Sequence, residues 1–194
     1  MVGETGNQSP VVFALRDCVD IYQRLLAESV PAVLDMADLV LKIFRQGGKL
    51  YLLGNGGSAA QAQHLSTEII GGLRRHDLPP QPSISLTTDS SFITAWSNDV
   101  GFDSLFSRQV QGIGEAGDVL VALSTSGNSE NIVQAVETAK SMGVKVIILS
   151  GKSAGKLSGN GDVNICVPSD DTQHIQEAHI TAGHIFCEIV EKAF

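Results

Sequence analysis

The chain has 194 residues, 43% hydrophobic and 18% charged, enough for one domain with a full core and too apolar for a disordered chain. A formal net charge of -8, with no long run of Lys or Arg, argues against a nucleic-acid-binding surface. It leaves a small anionic substrate open, because such a ligand feels local donors more than net charge.

Residues 1–10, "MVGETGNQSP", are polar; a flexible stretch is expected there, not a signal peptide. Residues 11–47 then repeat their apolar positions at helical spacing twice, which predicts a pair of helices. Pro31 suits an early helical position and Gly47-Gly48 marks the stop. Beyond this pair, short apolar runs alternate with helical segments. "KLYLLG", "SISL", "DVLVALS", "KVIILS" and "VNICV" read as strands. Helices are expected over "SAAQAQHLSTEIIG", "DSLFSRQVQGIG", "SENIVQAVETAKSMG" and from about Gln173 to Lys192. Unbroken apolar strands alternating with helices predict an α/β fold, a parallel sheet covered on both faces. No linker divides residues 11–194, and "RRHDLPPQP" reads as a surface loop. No apolar run reaches the roughly 18 residues of a membrane span. Cys18, Cys166 and Cys187 are scattered with no CxxC, which suits free thiols in a reducing cytoplasm.

Two strand-to-helix turns stand out, since ligands of such sheets bind beyond the carboxyl ends of the strands. One is Gly54-Asn55-Gly56-Gly57-Ser58 and the other is Ser124-Thr125-Ser126-Gly127-Asn128-Ser129. Glycines let backbone N–H groups approach a ligand, and a helix start adds free donors and a positive dipole end. The hydroxyls of the second turn exceed what one helix cap needs, so a phosphate cradle without Lys or Arg is expected. The first turn has neither GxGxxG spacing nor the GK[ST] of a P-loop.

His64 and Glu68 follow the first turn, four residues apart and therefore on one helical face. The last helical segment carries Gln176, Glu177, His179 and His184. Gln176 and His184 stand about 12 Å apart along a straight helix. They meet one small ion only by leaning together or by belonging to different chains.

These motifs carry a resemblance. "GNGGSAAQAQH", "TTDSSFITAWSNDVGFDSLFSRQV", "GDVLVALSTSGNSENI", "VPSDD" and "IQEAHITAGHI" resemble the phosphoheptose isomerases of the sugar-isomerase, or SIS, fold, from about residue 11 to the end. The resemblance implies a five-stranded parallel sheet in a flavodoxin-like three-layer arrangement with an N-terminal helical pair. It also implies a cytoplasmic homotetramer with interfacial active sites, no nucleic-acid partner and no membrane attachment. The implied reaction is isomerisation of D-sedoheptulose 7-phosphate to D-glycero-D-manno-heptose 7-phosphate, the first step toward nucleotide-activated heptose. The implied substrate contacts are Asn55, Gly56, Gly57, Glu68, Asn98, Asp99, Ser124, Thr125, Ser126, Ser129 and Gln176. The implied metal positions are His64, Glu68, Gln176 and His184, holding one Zn2+ per subunit, with Glu68 and His184 as the acid–base pair. A carboxylate or imidazole tied to zinc is a poor base, so either the ligation loosens in turnover or the metal is partly structural.

Relatives commonly carry Arg where this chain has Gly72, with Arg74 and Arg75 just beyond; substrate affinity or identity is expected to differ unless a shifted Arg compensates. A different class of SIS chain binds a phosphosugar, or the bacterial replication initiator protein, without catalysis. Glu68, His64 and His184 favour an enzyme over that alternative.

Overall fold

The unbroken apolar runs become strands whose alternate residues face opposite ways, so each strand feeds two cores at once. The computed structural model describes residues 9–194. Of the expected flexible stretch, residues 1–8 lie outside the described residues, and Pro10 already opens a helix. The elements are α1 (Pro10–Glu28), α2 (Val30–Arg45), β1 (Leu50–Gly54), α3 (Gly57–Gly71), β2 (Ser83–Ser85), α4 (Ser90–Asp99) and α5 (Leu105–Ile113). They continue with β3 (Val119–Ser124), α6 (Glu130–Ser141), β4 (Lys145–Ser150), β5 (Val163–Cys166) and α7 (Thr172–Lys192), with a 3-10 turn at Gly155–Leu157.

The five strands form one parallel sheet in the order β2-β1-β3-β4-β5. On one face Leu50, Leu52, Val119, Val121, Leu123, Ile147 and Leu149 pack with α2, α3 and α7. On the other, Tyr51, Leu53, Leu120, Ala122, Val146 and Ile148 pack with α5 and α6, and with Phe92, Ile93 and Trp96 of α4. Each fully buried Leu, Ile or Val contributes about 1.5–3 kcal/mol relative to exposure, which fixes the register of the central strands. Ile21 and Leu25 of α1 join Ile175 and Ala178 of α7 in a smaller third cluster. α1 and α2 form the expected N-terminal pair, and Lys42 and Arg45 in the last turn of α2 suit its negative dipole end. Among the described residues no helix is long and apolar enough to cross a membrane.

One element escapes the sequence pattern. α4 falls inside "TTDSSFITAWSND", a segment to which the apolar periodicity assigns nothing. Its Asp89 N-cap accepts a hydrogen bond from the Phe92 N–H at 2.9 Å, and none of its residues is fully buried. A short helix with few anchoring residues leaves a weak periodic signal.

The strand order places a topological switch between β1 and β3. The chain leaves β1 into α3 on one face and leaves β3 into α6 on the other. The two turns singled out in the sequence therefore lie side by side at the carboxyl ends of adjacent strands, where such folds bind their ligands.

Candidate active site

The floor of the site is built by those two turns. Asn55 and Asn131 exchange two amide hydrogen bonds of 2.9 Å each, tying the β1–α3 turn to the first turn of α6. Asn131 is buried, so the pair sets the spacing of the two turns. Asn55, Gly56, Gly57, Ser124, Thr125 and Ser129 line one cavity, together with Ser58, Thr172 and Gln176. Ser129 is the N-cap residue of α6, yet its hydroxyl makes no capping bond. It is therefore free for a ligand. The Ser124 hydroxyl accepts from the Gly127 N–H at 3.2 Å, and the Ser126 hydroxyl accepts from the Asn128 N–H at 3.2 Å. Ser126 is exposed and shapes the turn by this bond.

Gln176, in the second turn of α7, packs its amide against Gly57 and places Nε2 3.5 Å from the Ser58 hydroxyl. The Gln61 amide in turn donates to the Gln176 carbonyl at 2.6 Å. α3 and α7 thus start together at this cavity and run on side by side. Thr172 and Asn131 carry no signal in the sequence beyond their places at helix starts, and the structure adds both to the site.

Farther along the same two helices, His64, Glu68 and His184 gather. His64 Nε2 lies 2.8 Å from His184 Nε2 and 3.5 Å from Glu68 Oε1. Gly183 makes this approach close: a Cβ there would fall 2.6 Å from the Leu65 side chain, so any larger residue would push α7 off α3. The Glu68 side chain is 16% exposed and that of His64 is 47% exposed, so the cluster borders solvent. Of the two alternatives that the spacing leaves, His184 needs no second chain to reach His64: one chain brings the two within 2.8 Å, with Glu68 beside His64. Gln176 lines the cavity at the starts of α3 and α7.

Two imidazole nitrogens 2.8 Å apart, one of them 3.5 Å from a carboxylate oxygen, are donor types that suit zinc. Two Nε2 atoms at that separation need one shared proton, or a cation, between them. The residues present therefore fit the metal that the resemblance implies.

Three further expectations meet the structure here. Asn98 and Asp99 are exposed at the end of α4, with Asn98 Nδ2 donating to Asp99 Oδ1 at 2.7 Å; they lie outside the cradle's lining. His179 is fully buried, and its Nε2 lies 3.2 Å from the Ser150 carbonyl. Burial pushes its pKa down to about 4, which makes it a neutral core residue. Gly72 ends α3 with φ +85, and a side chain there would collide with the Arg75 carbonyl. An Arg at this position would require a rebuilt loop. The neighbouring arginines are paired elsewhere, Arg75 with Asp77 at 2.9 Å and Arg74 with Glu188 at 3.3 Å.

The comparisons with known proteins agree with the fold. Residues 15–151 match the SIS domain family. The chain is 42% identical over 184 residues to the phosphoheptose isomerase of Roseiflexus sp. (strain RS-1), covering 94% of this chain and 92% of that one. It is 49% identical over 168 residues to that of Rhodospirillum rubrum, covering 87% and 89%. Among solved structures it is similar to the phosphoheptose isomerase of Neisseria gonorrhoeae, with TM-score 0.89, 37% identity, and 96% and 100% of the two chains covered. The structure of a phosphoheptose isomerase from Francisella tularensis gives TM-score 0.91 at 34% identity over 94% and 96%. The chain belongs to the phosphoheptose isomerase family of SIS-domain proteins.

Proposed function

We infer that this chain is an aldose–ketose isomerase that converts D-sedoheptulose 7-phosphate to D-glycero-D-manno-heptose 7-phosphate. The observation that carries the reading is the convergence of His64, Glu68 and His184 two turns beyond a cradle of glycines and hydroxyls. His64 stands about 10 Å along α3 from Gly57. Six carbon–carbon bonds of about 1.5 Å, plus the ester linkage, carry C1 of an extended heptulose roughly that far from its phosphorus. A phosphate at the cradle therefore lays the reacting carbons beside the cluster.

The phosphate accepts hydrogen bonds from the Ser129 and Thr125 hydroxyls and from the N–H groups opening α3 and α6. Gln176, held against Gly57, offers its amide to sugar hydroxyls; its place in the cradle suits substrate better than metal. Glu68 takes the proton from one of the two reacting carbons and returns it to the other through an enediol. His184 moves protons between the two oxygens. Zinc is proposed at His64, Glu68 and His184, with Gln176 offered by the resemblance as a fourth donor; when bound, it supplies positive charge that stabilises the enediolate. Carboxylate and imidazole must leave the metal to act as bases, so an enzyme that turns over with zinc in place uses them in alternation or keeps the metal as a structural group.

The assembly proposed is a homotetramer in the cytoplasm. Its support is apolar surface: Leu26 and Leu34 on the N-terminal pair and Ile185 on α7 are exposed around one groove, and Val11, Phe13 and Leu15 are exposed on α1. Asn98 and Asp99 would then join a site from a neighbouring copy, next to exposed Val100 and Phe102. The non-catalytic alternative, phosphosugar or replication-initiator binding, is not favoured, since it has no use for Glu68 set against two histidines.

The test is incubation with sedoheptulose 7-phosphate, reading the aldose product, with free sedoheptulose alongside. Aldose from the phosphate and little from the free sugar is expected. No aldose from the phosphate would sink the assignment.

A further inference from the structure

A second group of ligand-type side chains lies away from the active site, where α1 crosses the start of α7. The Cys18 Sγ is 3.3 Å from Glu177 Oε2 and 3.5 Å from His174 Nδ1. His174 Nδ1 and Glu177 Oε2 are 3.1 Å apart. One thiol, one imidazole and one carboxylate thus offer three donor atoms in a nearly equilateral triangle. Tetrahedral coordination with bonds of about 2.0–2.3 Å sets neighbouring donors about 3.3–3.8 Å apart. The triangle is within a few tenths of an ångström of that spacing with the side chains where they stand.

The groups are also held on rigid elements. His174 and Glu177 are three residues apart on one face of α7. α1 is fixed against that face by Ile21 and Leu25 packing on Ile175 and Ala178, and by the Tyr22 hydroxyl, which donates to the Glu177 carbonyl at 3.2 Å and pairs with the Thr181 hydroxyl at 2.9 Å. Cys18 and His174 are half-buried, which limits competition from water, while Glu177 is exposed and leaves a route in.

We propose that Cys18, His174 and Glu177 form a second metal site, selective for zinc-like ions, that staples α1 to α7. Thiolate with imidazole favours zinc over the hard cations magnesium and calcium. Binding replaces the thiol proton, which leaves to solvent, by a metal–sulfur bond. Three protein ligands leave the fourth position to water. The staple has a functional consequence, because Gln176 sits between His174 and Glu177 in sequence and projects from the same turn into the phosphate cradle. Metal at the staple fixes the turn that carries Gln176 and Thr172.

The experiment uses the full chain, reduced and stripped of metal, titrated with Co2+ alone. A thiolate bound to Co2+ gives intense near-ultraviolet charge-transfer absorption that imidazole and carboxylate ligands do not. The readout is therefore blind to any metal at His64, Glu68 and His184, and it stands or falls separately from the isomerase assignment. The expected result is an absorption that saturates in the parent, vanishes in Cys18→Ser, weakens in His174→Ala and is abolished when zinc displaces cobalt. Circular dichroism and thermal unfolding report that both variants fold. No charge-transfer absorption in the parent at saturating Co2+, or absorption that persists in Cys18→Ser, overturns the proposal.

Discussion

Because His64 Nε2 reaches both His184 and Glu68 inside one chain, at 2.8 and 3.5 Å, two different single defects should not repair each other across chains. Glu68→Gln removes the proton carrier while keeping its shape, and His184→Ala removes its partner. Each should cost roughly 10²-fold or more in turnover, the usual scale for a positioned acid or base. Mixed under conditions that exchange subunits, the two variants give clearly different outcomes for the two geometries. If the groups act from one chain, every site keeps one defect and activity stays at or below about a hundredth of the parent. If they act from neighbouring chains, random exchange rebuilds roughly one site in four, because half the sites receive an intact Glu68 and half of those an intact His184. The assay is initial-rate formation of the aldose phosphate from sedoheptulose 7-phosphate, with exchange verified by native mass spectrometry of differently tagged chains. Recovery near a quarter of parental activity would refute the single-chain cluster.

Ser129→Ala should raise KM for the sugar phosphate while leaving thermal stability nearly unchanged. Its hydroxyl makes no capping bond, so the usual N-cap loss of about 0.5–2 kcal/mol does not apply, and a large drop in Tm without a change in KM would contradict its role. His179 predicts an acid-sensitive core. Its folded pKa of about 4 lies below the ordinary histidine value of 6.5, so its stabilising contribution is complete above pH 6.5 and is lost as pH falls from there toward 4. That interval corresponds to about 3 kcal/mol. His179→Gln should flatten this part of the curve in urea unfolding followed against pH; an equally steep loss in the variant would assign the acid sensitivity elsewhere.

The sheet was legible because burial on both faces makes the interiors of β1, β3 and β4 unbroken apolar runs; all five strands lie where the apolar runs put them. The cradle was legible for a related reason, since glycines and hydroxyls at two strand ends serve no core purpose. α4 was not legible, because its few apolar residues are only partly buried and its serine-rich start imitates a loop. Asn131 was hidden by its helical surroundings: nothing in "SENIVQAV" says that a polar residue there will be buried against Asn55.

The arrangement of His64, Glu68 and His184 marks the boundary between these two kinds of information. Spacing along α7 correctly separates Gln176 from His184 by about 12 Å. The two alternatives drawn from that spacing, leaning together or belonging to different chains, both assume that the two residues serve one ion. The structure places Gln176 in the cavity lining and His184 beside His64. What joins the two is the side-by-side course of α3 and α7, which depends on Gly183 yielding its space to Leu65. A close helix approach of that kind is a property of two distant segments at once, and no periodicity within either one reveals it. In the proposed binding mode, a phosphosugar bridging cradle and cluster would read out the length of α3 between Gly57 and His64. Shorter ketose phosphates that anchor their phosphate at the same turn would leave their reacting carbons short of Glu68, so chain length is measured by the helix itself.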